Sequence, residues 1–125
     1  MSLSLGKEKS HEAQRLDLMP IAKTVTGRSF EYSGSLSTGL TIFFKAPHKK
    51  IIPVEIIKVI RQEITKRSPV LMGANRQPLV ANSVGETLAL KHNESPQVMS
   101  YVLPLLIAEG FCTVNDSRPF VIHKV

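Results

Sequence analysis

Two apolar segments, each preceded by residues able to cap a helix, and two β-prone runs behind them fill Ser83 to Val125. This order constrains the fold more than any other feature of the chain. Ser83-Val84-Gly85-Glu86 sets a serine and a glutamate three residues apart, the spacing at which each can satisfy the other's free backbone N–H. A helix is therefore expected to start at Ser83. Val84, Leu88 and Leu90 form its apolar side and leave Glu86, Lys91 and His92 to solvent. The polar run Lys91-His92-Asn93-Glu94 is short enough to be a turn between two crossing helices. Ser95 then offers a hydroxyl to the first-turn N–H groups of a second helix, and Pro96 supplies a preset φ where its missing donor costs nothing. Gly110 fits the left-handed position just past that helix.

Val98, Met99, Val102, Leu103, Leu105 and Leu106 give the second helix a broad buried face, while Gln97, Ser100, Tyr101 and Pro104 fall together on another side. Pro104 removes one backbone hydrogen bond and crowds the carbonyl of Ser100, so a kink or change of direction is expected there. Phe111-Cys112-Thr113-Val114 and Phe120 to Val125 are β-prone runs around the turn-rich Asn115-Asp116-Ser117-Arg118-Pro119, a hairpin with Arg118 near its tip.

From Ser83 to Val125 the chain resembles the C-terminal two-thirds of a winged helix domain, in the style of MarR-like regulators. The likeness is carried by the capped helix, the polar turn, the Ser95-Pro96-Gln97 start, the ending Ile107-Ala108-Glu109-Gly110-Phe111 and the hairpin with Arg118, and covers about a third of the chain. It implies an α+β fold: a winged helix-turn-helix with a three-helix core and a C-terminal β-hairpin wing. It further implies binding of duplex DNA without catalysis, as a transcriptional regulator or accessory module. The second helix would enter the major groove from its N-terminal end, with Ser95, Gln97, Ser100 and Tyr101 nearest to bases or phosphates. Lys91 and Asn93 in the turn and Arg118 on the wing would hold the backbone. That reading face carries no arginine or lysine, so it favours adenine contacts, phosphate contacts or no DNA at all. The alternatives are association with a protein through Tyr101, Pro104 and Ile107, and RNA binding with stacking on Tyr101 or Phe120. A homodimer would match a palindromic site, although no dedicated interface is visible in the sequence.

At 125 residues the chain suits one domain that buries about two-thirds of its unfolded surface. A formal charge of +6 attracts phosphates without specifying a sequence. The positive charge clusters at Lys45, Lys49 and Lys50 and at Lys58, Arg61, Lys66 and Arg67, with single positions at Arg76, Lys91 and Arg118. Each cluster reads first as a solvated face, with nucleic-acid contact as the alternative. The single cysteine, Cys112, excludes an intramolecular disulfide, and no apolar run approaches the roughly 20 residues of a membrane helix. A cytoplasmic protein is expected.

Residues 1–27 read as a flexible arm, with one short helix available between Glu12 and Met19, and Met1-Ser2-Leu3 matches an expression leader. Residues 28–125 then form the domain. Phe30 and Tyr32, the loop Ser33 to Gly39 and the β-prone Leu40 to Lys45 predict an N-terminal β-hairpin. The loop lacks the glycine spacing and the lysine and threonine of a P-loop, so no nucleotide site is inferred. Pro53 to Arg67 is the clearest helix, with Val54, Ile57, Ile60 and Ile64 on one stripe and Ser68-Pro69 as its stop. Val70 to Ala74 reads as an apolar continuation or extra turn, which leaves Pro78 to Ala81 as the only candidate for the first strand of a winged helix.

Chemistry has little support. His11, His48, His92 and His123 are scattered without metal-ligand spacing, and one cysteine cannot build a zinc site. Acid and base one turn apart in Glu55-Ile56-Ile57-Lys58 and Glu63-Ile64-Thr65-Lys66 are the spacing of helix-stabilising pairs. Cys112 reads as a small buried hydrophobe. No catalytic residue, metal or cofactor is expected.

Overall fold

Phe30, Leu40, Ile42 and Ile52 are apolar residues in the front part of the chain, and in the computed structural model, which describes residues 20–125, they form one buried face of a sheet. Strands β1 (Ile21–Lys23), β2 (Ser29–Ser35), β3 (Gly39–Phe43) and β4 (Lys49–Ile52) pair in sequence order as an antiparallel meander. The registers Tyr32↔Ile42 and Leu40↔Ile52 put Tyr32, Leu40, Ile42 and Ile52 on the inner face. The expected hairpin is thus β2–β3, within a larger sheet. Its connection closes on itself, the Ser35 hydroxyl accepting from the N–H groups of Ser37 and Thr38 at 3.3 and 3.1 Å. The expectation of a flexible arm to residue 27 is corrected by β1, whose Ile21, Ala22 and Lys23 pair with Glu31, Phe30 and Ser29. The remainder of that arm, with the Glu12 to Met19 helix and Met1 to Leu3, lies outside the described residues.

Pro53 stands as the N-cap of helix α1 (Val54–Arg67), whose Ile57, Ile60 and Ile64 are fully buried. Each such side chain contributes about 1.5–3 kcal/mol by leaving water. Ser68 ends the helix in an extended conformation (φ −54°, ψ 132°), as the clash of the following proline ring with its backbone requires. The chain next enters β5 (Val70–Leu71), not a helical continuation, because Val70 and Leu71 find Ile122 and Val121 as antiparallel partners. Pro78 to Ala81 is not a strand.

Helix α2 (Val84–His92) begins at Ser83, whose hydroxyl accepts from the Glu86 N–H at 3.0 Å. The reciprocal bond is displaced by one residue, Glu86 accepting from the N–H of Asn82 at 2.9 Å. Leu90 departs from expectation: it is 69% exposed, because α2 presents Val84, Gly85 and Leu88 to the core. The segment after β5 passes close over the start of α2, where the Met72 carbonyl accepts from the Gly85 N–H at 3.1 Å. A methyl group on Gly85 would collide with the Gly73 carbonyl.

Ser95 caps the next element, but the first turn is a 3-10 helix, Pro96–Val98, which continues into α3 (Met99–Ala108). Pro104 lies inside α3, which runs through it to Ala108. Gly110, at φ +85°, brings the Phe111 N–H back to the Leu106 carbonyl at 3.0 Å. Strands β6 (Cys112–Val114) and β7 (Val121–Lys124) close a second antiparallel sheet of order β5-β7-β6. A single apolar cluster joins both sheets and all three helices, so residues 28–82 belong to the same core as the C-terminal part.

Charged side chains join the elements at three places. Arg67 donates to Glu63 (2.8 Å), to the Thr87 hydroxyl (3.1 Å) and to the Asn82 carbonyl (2.7 Å), tying α1 to α2. Arg61 forks onto Glu109 at 2.6 and 3.1 Å, and Lys50 reaches the largely buried Glu94 at 2.7 Å. Burial pulls the Glu63 carboxyl upward, but the hydrogen bond and charge of Arg67, helped by Thr87, outweigh it and hold the group below its ordinary 4.5. The Arg61 hydrogen bond lowers Glu109 likewise, in a more exposed and hence better screened setting. Both carboxyls are lowered in the fold, so the unfolded chain binds more protons just below their ordinary value. Their stabilisation is complete above that value and fades as pH falls through the lowered folded values. Denaturation by urea at pH 7 and at pH 3.5 should give a lower midpoint at acid pH. E63Q should narrow that difference; an unchanged difference would show that Glu63 is not a source of it.

Candidate nucleic-acid interface

Spacings of three and four residues along the 3-10 turn and the start of α3 set Gln97, Ser100 and Tyr101 on one side. Gln97 is exposed and the other two are half-buried. The cause is the first sheet. The Tyr101 ring meets Phe30 edge-on at 5.1 Å and Phe44 at 5.8 Å, with interplanar angles of 76° and 68°. The side of α3 expected to face a ligand freely is therefore, at Tyr101, a packing face against β2 and the end of β3.

Between α3 and that sheet runs an open groove of about 920 Å³. Gln97, Ser100 and Tyr101 form one wall, the β1–β2 turn and Phe43 to Lys45 another, while Leu71 to Asn75, Val80 and Arg118 to Phe120 complete the lining. Three cations, Arg28, Lys45 and Arg118, belong to it, and among the described residues no carboxylate does.

Each cation stands on a turn held by hydrogen bonds. The Arg28 N–H donates to the Thr24 hydroxyl at 3.1 Å, and the Arg28 carbonyl accepts from the Thr24 N–H at 2.9 Å. Lys45 lies in the β3–β4 connection, where the Phe44 N–H donates to the His48 carbonyl at 3.0 Å and the His48 N–H to the Lys45 carbonyl at 2.9 Å. Around Arg118, the Asn115 amide donates to the carbonyls of Ser117 (2.7 Å) and Pro119 (3.0 Å) and accepts from the Val121 N–H at 2.7 Å. These backbones are set before any ligand arrives, which reduces the ordering cost of binding.

Of the residues expected to touch nucleic acid, the structure brings Gln97, Ser100, Tyr101 and Arg118 into one groove and leaves Lys91, Asn93 and Ser95 outside it. Lys91 is exposed near the end of α2. Asn93 is the left-handed C-cap of α2 (φ 51°), and its N–H returns to the Leu88 carbonyl. Ser95 accepts from the Gln97 N–H at 3.2 Å as the cap of the 3-10 turn. Arg28 and Phe44, which sequence reasoning missed, come from the first sheet; the only signal was their place in strand-flanking turns. Among the basic clusters, Lys50, Arg61 and Arg67 are committed to carboxylates.

Cys112 is buried, and burial pushes its thiol up to about 11 against the lowering effect of Lys124 and Arg61. Thiolate is the reactive form. Iodoacetamide at pH 8 should leave Cys112 unmodified in the folded protein and alkylate it in denaturant, as intact mass would report; rapid labelling of the folded chain would contradict its burial. Among the described residues no group of three or more His, Cys, Asp or Glu side chains could hold a metal ion, and no helix is long and apolar enough to cross a membrane. Comparison of the chain with protein-family models, with curated proteins and with solved structures gives no match.

Proposed function

We propose that this protein is a non-catalytic DNA-binding module built on a winged helix, serving as a regulator or an accessory subunit. The observation that carries the reading is the groove of about 920 Å³ whose lining holds Arg28, Lys45 and Arg118 and, among the described residues, no carboxylate. The order α1, β5, α2, α3 and the β6–β7 hairpin, with β5 paired to β7, supports the winged-helix reading, in which α3 takes the position of the recognition helix and the hairpin that of the wing. The three cations hold phosphates while Gln97 in the 3-10 turn and Ser100 at the start of α3 reach the bases. Use of the same helix to dock a protein through Tyr101, Pro104 and Ile107 is less well supported, since Tyr101 and Ile107 already pack against the core.

Fluorescence anisotropy with labelled mixed-sequence DNA, as duplex and as single strand, tests the proposal. Three phosphate contacts should make binding about 20- to 40-fold weaker at 200 mM salt than at 50 mM. Absence of binding to either form at 50 mM would reject the function.

A further inference from the structure

We infer that the groove takes an unpaired DNA strand in preference to a continuous duplex, an inference that rests on the DNA-binding function proposed above. Space limits what the groove can hold. A helix that reads a duplex enters a major groove about 12 Å wide, and a helix with its side chains is itself about 10–12 Å across. Nothing else fits beside it. Here the first turn of α3 has the first sheet alongside, since Tyr101 lies edge-on to Phe30 and Phe44 at 5.1 and 5.8 Å. What remains open is the groove between helix and sheet, whose volume of about 920 Å³ falls within the range of clefts that enclose small ligands, about 300–1,000 Å³. It can take a few nucleotides of a strand but not the breadth of a duplex.

The lining matches such a strand in both its parts. Arg28, Lys45 and Arg118 supply charge for a phosphate backbone. Phe44 is 46% exposed although it stands in the groove among other aromatic residues, and Phe120 is half-buried at the far side. Proteins that bind single strands combine these two features, a positive groove and aromatic rings on which successive bases stack, and the stacking is tolerant of sequence because every base has a π face. A duplex keeps its bases stacked on one another and offers Phe44 nothing.

The test measures affinity of the full chain for a 12-nucleotide mixed-sequence DNA strand, for the duplex formed with its complement and for an RNA strand of the same sequence, at 50 mM salt. The DNA strand should bind at least about tenfold tighter than the duplex. F44A should weaken the strand about tenfold or more and leave the duplex unchanged, whereas F44W should restore strand affinity. Circular dichroism melting of both variants separates loss of stacking from loss of fold. Duplex binding as tight as strand binding, or an F44A variant that is folded and unaffected, would overturn the inference while leaving the DNA-binding function in place. RNA bound more tightly than DNA would overturn the choice of DNA. No binding to any of the three would remove the function and the inference together.

Discussion

The triple variant R28E/K45E/R118E is expected to lose at least about a hundredfold in DNA affinity at roughly 0.1 M salt and to flatten its salt dependence. Each reversal leaves one phosphate without its cation and adds a repulsion, and the slope of log K against log salt falls by about 0.7 to 0.9 for each phosphate no longer neutralised. The loss should be uniform across DNA sequences, since backbone contacts position without specifying. K91E provides the contrast. Lys91 lies outside the groove near the end of α2, so its reversal should change affinity only by the small long-range effect of one more exposed charge. Both variants change solvent-facing side chains, and their melting temperatures should stay near that of the parent. If K91E weakened binding as much as the triple variant, the ligand would lie across the α2–α3 turn instead of in the groove.

Gly85→Ala should damage the scaffold severely, with a cost of about 2–3 kcal/mol and a fall in Tm of roughly 10–20 °C. Elsewhere in a helix the same change stabilises by about 1 kcal/mol, because glycine is the poorer helix former. Packing reverses the sign here. The added methyl would meet the Gly73 carbonyl and carbon, both backbone atoms, and would stand 3.0 Å from the Pro96 side chain. Relief requires the strand-to-helix segment to lift from α2, which stretches the 3.1 Å bond between the Gly85 N–H and the Met72 carbonyl. Met72, Gly73 and Ala74 also line the groove, so whatever fraction stays folded should bind DNA more weakly. Thermal melting followed by circular dichroism reads the first effect. A Tm equal to or above that of the parent would show that the close approach is not obligatory.

Helix boundaries were legible because they are local. The cap at Ser83 bonds to Glu86, that at Ser95 to Gln97, and the left-handed Gly110 stands next to the helix it ends, all within a few residues in the chain. The stripe Ile57, Ile60 and Ile64 announced its own burial by its spacing. Where a residue's fate depends on a partner far along the chain, its sequence neighbours do not reveal it. Val70 is apolar and follows a helix, and only Ile122 makes it a strand. Leu90 has helical spacing from apolar neighbours, yet the packing of α2 leaves it in solvent.

The candidate site divides in the same way. Gln97, Ser100 and Tyr101 share a helix face by the geometry of 3.6 residues per turn, and Arg118 belongs at a hairpin tip because Asn115 to Pro119 are turn formers. That these four meet Arg28, Lys45 and Phe44 in one groove is a tertiary fact. It depends on docking the first sheet against α3 through Phe30, Phe44 and Tyr101 and on the link from Lys50 to Glu94, 44 residues apart. Hydrogen-bond caps and apolar periodicity are properties of neighbouring residues and so are written in the order of the chain. A groove is a relation between surfaces, determined only when the whole core has decided which of them can be buried together.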